Sequence, residues 1–192
     1  MKKKVFKKII KGERITLRKL PCSMEHAEFT LSIVNRNRNY LLPWGQWVHY
    51  AKTAKDYFEW LEQREKDWDN KRTASYGIHL GKEFIGRIAI EDINYIKDTA
   101  ECGYWIDSKH AGKGYATEAL KVIEKEYFER GLNRIVIYTD PDNLASIRVA
   151  EKNNYVLEGI MRQDDYYLDG DGEYRNTAIY SKLYHEWEYE NG

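Results

Sequence analysis

The segment TAECGYWIDSKHAGKGYATEALKVIEKEYFERG, residues 99–131, carries the most specific pattern in the chain. Its first eight residues, Thr99 to Ile106, read as a strand. From Ala116 the pattern changes to Ala116, Ala119, Leu120, Ile123 and Tyr127, the stripe of an amphipathic helix. Gly131 stands where a left-handed C-terminal cap is expected. Between strand and helix lie Gly112 and Gly114. Glycine tolerates backbone dihedrals that turn successive N–H groups toward one point. The free N–H groups and dipole of the helix start add to the pull on an anion. The segment therefore predicts a strand, an anion-binding loop and a helix.

Two familiar phosphate motifs do not fit. A P-loop needs Ser or Thr directly after Gly-Lys, whereas Gly114 follows Lys113. The dinucleotide fingerprint needs a third glycine where Thr117 stands, and its first glycine should follow the strand almost at once.

Working outward, Arg14 to Lys19, Ser75 to Leu80 and Phe84 to Ile90 read as strands, the last two joined at Gly81-Lys82. Residues 23–38 read as a helix starting near Ser23. A second helix starts at Thr53, with Asp56 three residues on, and carries Tyr57, Trp60, Leu61 and Trp68 on one face. Pro43 and Gly45 forbid a helix through LLPWGQW, residues 41–47. Arg134 to Thr139 is a buried-looking strand, and Asn143 caps a short helix ending near Asn153-Asn154. Tyr155 to Leu168 and Tyr174 to Tyr184 alternate as two strands joined by DGDG, residues 169–172. The expected architecture is an α/β (α+β) domain: a mixed central sheet of about six to seven strands with helices on both faces. With 192 residues and no repeat or linker, one domain over 12–192 is expected, preceded by a basic N-terminal tail or extension, 1–11.

Composition narrows the function. Lys+Arg and Asp+Glu are both 31, so no whole-surface nucleic-acid footprint is expected. The six lysines of the basic start are read as a solvated tail rather than an RNA contact. No apolar run approaches the roughly 18 residues of a membrane span. Cys22 and Cys102 are far apart and the five histidines show no metal spacing, so a cytoplasmic protein without a metal is expected.

AECGYWIDSKHAGKGYATEAL resembles the acetyl-CoA-binding motif of the GNAT N-acetyltransferases. The likeness continues through LNRIVIYTDPDNLASIRVAEKNNYVLEG, residues 132–159, although Gly131 replaces an acidic residue. The LLPW segment, the LEG at 157–159 and IYSKLYHEW at 179–187 resemble the RimJ/RimL branch, which acetylates N-terminal amines of ribosomal proteins. The resemblance, over roughly residues 12–187, implies a GNAT sheet splayed where the pantetheine arm of acetyl-CoA inserts. It assigns the cofactor to Tyr104, Trp105, Ile106, Ala111, Gly112, Lys113, Gly114, Tyr115, Ala116, Thr117, Asn143 and Ser146. Ala111 departs from the Gln or Arg usual at its position, which leaves the backbone N–H groups to hold the phosphates. The resemblance also places Trp44 and Trp47 at the acceptor pocket, and implies that a homodimer is common in such families.

Acetyl transfer needs a neutral amine, a held carbonyl and an exit for the thiolate. At pH 7 a lysine-like amine costs roughly 4–5 kcal/mol to deprotonate, and an α-amine only about 1 kcal/mol. One carboxylate is enough for an α-amine. The candidates are Asp165, in the strand after LEG, and Glu101, which shares a strand face with Gly103 and Trp105. Ser146 lies near the thiol by resemblance. Tyr138, Tyr166 and Tyr167 are further polar groups of the kind that act as acids. The expected activity is acetyl transfer to a protein N-terminus. The alternatives are a small amine acceptor (polyamine, amino acid or antibiotic) and a non-catalytic acyl-CoA sensor.

Overall fold

Alternating apolar residues build a mixed sheet, and two sets of amphipathic helices cover it. The computed structural model describes residues 5–168 and 172–191. Its strands are β1 (Ile9–Lys11), β2 (Thr16–Lys19), β3 (Ala74–Leu80), β4 (Glu83–Asn94), β5 (Thr99–Ile106), β6 (Arg134–Thr139), β7 (Val156–Tyr167) and β8 (Glu173–Leu183). They lie in the order β1-β2-β3-β4-β5-β6-β8-β7, and only β5 and β6 pair in parallel. The longer helices are α1 (Met24–Arg36), α4 (Ala54–Asp69), α5 (Tyr115–Phe128), α6 (Leu144–Lys152) and α7 (Tyr184–Asn191). Short helices α2 (Arg38–Leu41) and α3 (Trp47–Tyr50) flank a 3-10 turn at Leu42–Trp44.

The helix starts obey the sequence. Ser23 accepts the His26 N–H, and Thr53 and Asp56 form a reciprocal capping box, interactions each worth about 1 kcal/mol. The α5 stripe buries Ala119, Leu120, Ile123 and Tyr127 against Leu17, Ile78 and Ile88 of the sheet. A second cluster joins Leu31 and Val34 of α1 and Leu61 of α4 to Phe84 and Trp105.

The structure corrects three expectations. The sheet has eight strands rather than six to seven, because residues 9–11 of the expected tail add β1 beside β2. From Phe6 onward that stretch is not a tail. The Phe6 ring is 3% exposed and sits 5.2 Å from Trp68 and 5.7 Å from Tyr127. A three-residue edge strand between lysines carries too little alternation to stand out. The last strand also stops at Leu183, and α7 follows, held by Trp187 against Phe128. Of the DGDG turn, residues 169–171 lie outside the described residues, as do 1–4.

The feature that positions the site is a split in the sheet. β5 and β6 pair only at Thr99–Arg134, Ala100–Ile135 and Glu101–Val136. Beyond Glu101, β5 runs on to Ile106 and β6 to Thr139 without pairing each other. The edge of β5 that faces β6 is therefore open from Cys102 onward.

Candidate active site

The split opens into a cleft of about 690 Å³, within the usual size for a small-molecule site. Its floor is the unpaired parts of β5 and β6, and the glycine loop and the start of α6 form one end. Gly112 and Gly114 have φ of 74° and 82°, the left-handed conformation that glycine adopts without strain. Gly114 is the N-cap of α5, so the free N–H groups of that helix stand beside the loop.

Two sets of side chains brace this loop. Glu118 accepts the backbone N–H groups of Arg14 (2.7 Å) and Ile15 (3.1 Å) and the Arg14 Nε–H (2.7 Å). Arg14 also donates to the Lys113 carbonyl (3.2 Å) and covers the Tyr115 ring. Burial raises the Glu118 carboxyl, and the hydrogen bonds from Arg14 and Ile15 bring it below its usual value. On the other side, buried Asp107 accepts from Asn37 Nδ2 (3.0 Å), from the Lys109 N–H (3.3 Å) and from Arg36. Asn37 Oδ1 in turn accepts the Ser108 N–H (2.9 Å). Asn37 ends α1, so the start of the glycine loop is tied directly to the segment that runs on through α2.

Of the residues expected to hold the cofactor, all except Lys113 line this cleft. The Lys113 ammonium folds back onto the Lys109 carbonyl (2.8 Å). Asn143 Oδ1 accepts the Ser146 N–H (3.1 Å), the helix-cap geometry that presents Ser146 at the first turn of α6. The Ser146 hydroxyl lies 3.1 Å from the Tyr104 hydroxyl, which also donates to the Ser146 carbonyl (3.2 Å). Burial pushes the Tyr104 phenol well up, against the lowering effect of the Ser146 hydrogen bond, so Tyr104 stays protonated and can donate. Trp44 and Trp47 line the other end, where the Trp47 ring packs 5.9 Å from Trp105.

The structure does not bring the two expected carboxylates into the cleft lining. Asp165 is exposed on β7, opposite Arg175, and its Oδ1 accepts the Tyr166 N–H (2.9 Å). A register shift between Met161 and Asp165, with Gln163 at φ 53°, sets where this part of the hairpin points. Glu101 is half-buried at the last paired position before the split, opposite Glu91. Burial raises its carboxyl, and Asp92 and Glu91 raise it further. Glu91 and Arg87 of β4 do line the cleft. Arg87 and Glu91, four residues apart on one strand face, were visible in the sequence, but charged residues on a strand ordinarily mark a solvent face.

A family model for the acetyltransferase (GNAT) domain matches residues 14–156. The chain belongs to the GNAT acetyltransferases. It is 26% identical to a ribosomal-protein-serine acetyltransferase of Escherichia coli K12, over 82% of this chain and 87% of that one. Among solved GNAT structures it superposes on the RimL ribosomal-protein alpha-N-acetyltransferase in complex with coenzyme A. The TM-score is 0.85 at 25% identity, covering 91% and 97% of the two chains. The microcin self-immunity acetyltransferase MccE, in complex with acetyl-CoA and AMP, gives a TM-score of 0.82 at 26% identity over 89% and 93%. This GNAT domain is therefore an acyltransferase that draws on acetyl-CoA, the cofactor of its family. The split strands and the open glycine loop fit that cofactor. No helix among the described residues is long and apolar enough to cross a membrane, and those residues form no group of three or more metal-ligating side chains.

Proposed function

We propose that the acceptor is an α-amine at a protein N-terminus, with a ribosomal protein as the substrate class and the cytoplasm as the compartment. One observation carries this reading. The cleft runs from the glycine loop to an aromatic mouth where Tyr40 and Trp44 are each 39% exposed. Such an open end admits the first residues of an extended chain. The similarity to ribosomal-protein acetyltransferases and the low cost of deprotonating an α-amine support the same choice. Acetyl-CoA supplies the activated acetyl group. The backbone of Gly112 to Thr117 would hold its phosphates, and β5 from Tyr104 to Ile106, with Asn143, would hold the pantetheine arm. Ser146, backed by the Tyr104 hydroxyl, would give a proton to the departing thiolate.

Peptides with free N-termini should be acetylated there, and N-blocked peptides containing lysine should not, as mass spectrometry of the products would show. Faster turnover of spermidine or an aminoglycoside than of any peptide would replace this reading with a small-amine acceptor. Ser146→Ala should lower turnover by about 10²-fold and leave acetyl-CoA affinity within a few-fold, because only the proton donor is lost. We also infer that the chain forms a homodimer, which sedimentation equilibrium checks.

A further inference from the structure

The acceptor side of the cleft holds a carboxylate that no expected role uses. Alternation along β5 puts Glu101, Gly103 and Trp105 on one face, and Cys102 and Tyr104 on the other. Glu91 of β4 stands on the first face, in register with Glu101. Its Oε1 accepts from Arg87 Nη2 at 2.5 Å, and Arg64 Nη1 lies 3.8 Å away. Arg87 is itself held by Ser75 Oγ at 2.9 Å and covers the Trp60 ring, and Arg64 is held by Asp67 at 2.8 Å. One oxygen of Glu91 is thus locked in place. The other oxygen, Oε2, sits over Gly103, so close that a Cβ there would stand 3.3 Å from it. Gly103 lies two residues past the last β5–β6 pair, where the strands have parted.

We propose that Glu91 is the carboxylate that receives the acceptor amine at the split. This deepens the acetyl-transfer reading above and rests on it. Glu91 Oε2 takes the ammonium as its counter-ion; the ammonium releases one proton to solvent, and Glu91 withdraws a second from the resulting neutral amine as its nitrogen attacks. The new bond joins the acceptor nitrogen to the acetyl carbon. The carbon–sulfur bond breaks, its electron pair leaves on sulfur, and the proton given by Ser146 makes the free thiol. Ser146 is reprotonated at the expense of the proton taken by Glu91, so a neutral amine and a thioester become an amide and a thiol. Glu91 works from the α4 face and Ser146 from α6, which keeps base and acid on opposite sides of the reacting carbon. The charged groups facing Glu91 are Arg87, Arg64 and Glu101. A carboxylate is a weak base, adequate for an α-amine with a pKa near 8 and poor for a lysine amine near 10.4. Gly103 matters too, because a Cβ there would press on the free oxygen and shift it by a few tenths of an ångström.

The test compares Glu91→Gln, Glu101→Gln and Asp165→Asn in the full chain with acetyl-CoA and a peptide bearing a free N-terminal serine. Glu91→Gln should lower kcat/KM by about 10²–10⁴-fold, with acetyl-CoA affinity and melting temperature near those of the parent. Its rate should recover toward high pH, where the amine loses its proton unaided. Glu91→Asp, which retracts the carboxylate by one methylene, should fall between parent and Gln variant and keep the parent's pH profile. A Glu91→Gln rate within threefold of the parent overturns the proposal, as does a larger loss in Glu101→Gln or Asp165→Asn. If the parent acetylates spermidine and no peptide, the α-amine reading fails. The same loss in Glu91→Gln with spermidine then still upholds the assignment, and an undiminished rate overturns it.

Discussion

Replacing Gly114 by glutamate is expected to weaken acetyl-CoA binding at least 100-fold, about 2.7 kcal/mol, by titration calorimetry. Two effects add. Gly114 holds φ 82°, and a residue with a Cβ pays about 1–2 kcal/mol for that conformation. The new carboxylate would also stand where, on the proposed cofactor placement, the N–H groups of α5 and the loop would hold a phosphate. Its neighbour is Arg14, whose Nη2 lies 3.4 Å from the position of a Cβ on Gly114. Arg14 would hold the introduced carboxylate beside the loop, an internal competitor for the cofactor's charge. Gly114→Ala isolates the conformational part and should cost roughly tenfold. Unchanged affinity in the glutamate variant would show that the cofactor phosphates sit elsewhere.

Lys182→Ala is expected to destabilise the fold by about 3–5 kcal/mol in urea titrations. The Lys182 side chain is 1% exposed, and its ammonium donates to Asn153 O (2.9 Å), Glu190 Oε2 (2.6 Å) and Glu124 Oε1 (3.3 Å). These contacts tie β8 to α5, to the end of α6 and to α7. Burial raises the Glu124 carboxyl, and the Lys182 charge is what opposes that rise. Removing the cation leaves a carboxylate buried without its partner, the costliest way to break such a pair. Replacing both partners together, as Lys182→Met with Glu124→Leu, should recover most of the loss, since no uncompensated charge remains. A single variant as stable as the parent would mean that Glu124 is neutral and that the lysine is held by Glu190 and Asn153 alone.

Elements specified by local information were legible in the sequence. Thr99–Ile106 and Arg134–Thr139 occur with the expected bounds. The caps at Ser23, Thr53 and Asn143 act as their side chains suggested, because a cap needs only a residue three positions away. Gly131 adopts φ 96° after α5. The features that did not show were β1, whose partner lies across a turn among lysines, and α7, which needs the Phe128–Trp187 contact to define its buried side.

The site divides along the same line. The glycine loop, the helix behind it and the Asn143–Ser146 pair follow from the local sequence, since each is a short-range arrangement of backbone and adjacent side chains. How far β5 and β6 stay paired, and therefore where the cleft opens, depends on long-range packing. That packing also decided which carboxylate meets the opening. Glu91, Glu101 and Asp165 are all carboxylates on predicted strands or next to one. Register across β4–β5, the lock by Arg87 and the missing side chain at Gly103 place only Glu91 in the lining. Those three causes act between strands, through pairing and space, and no periodicity along a single strand records them.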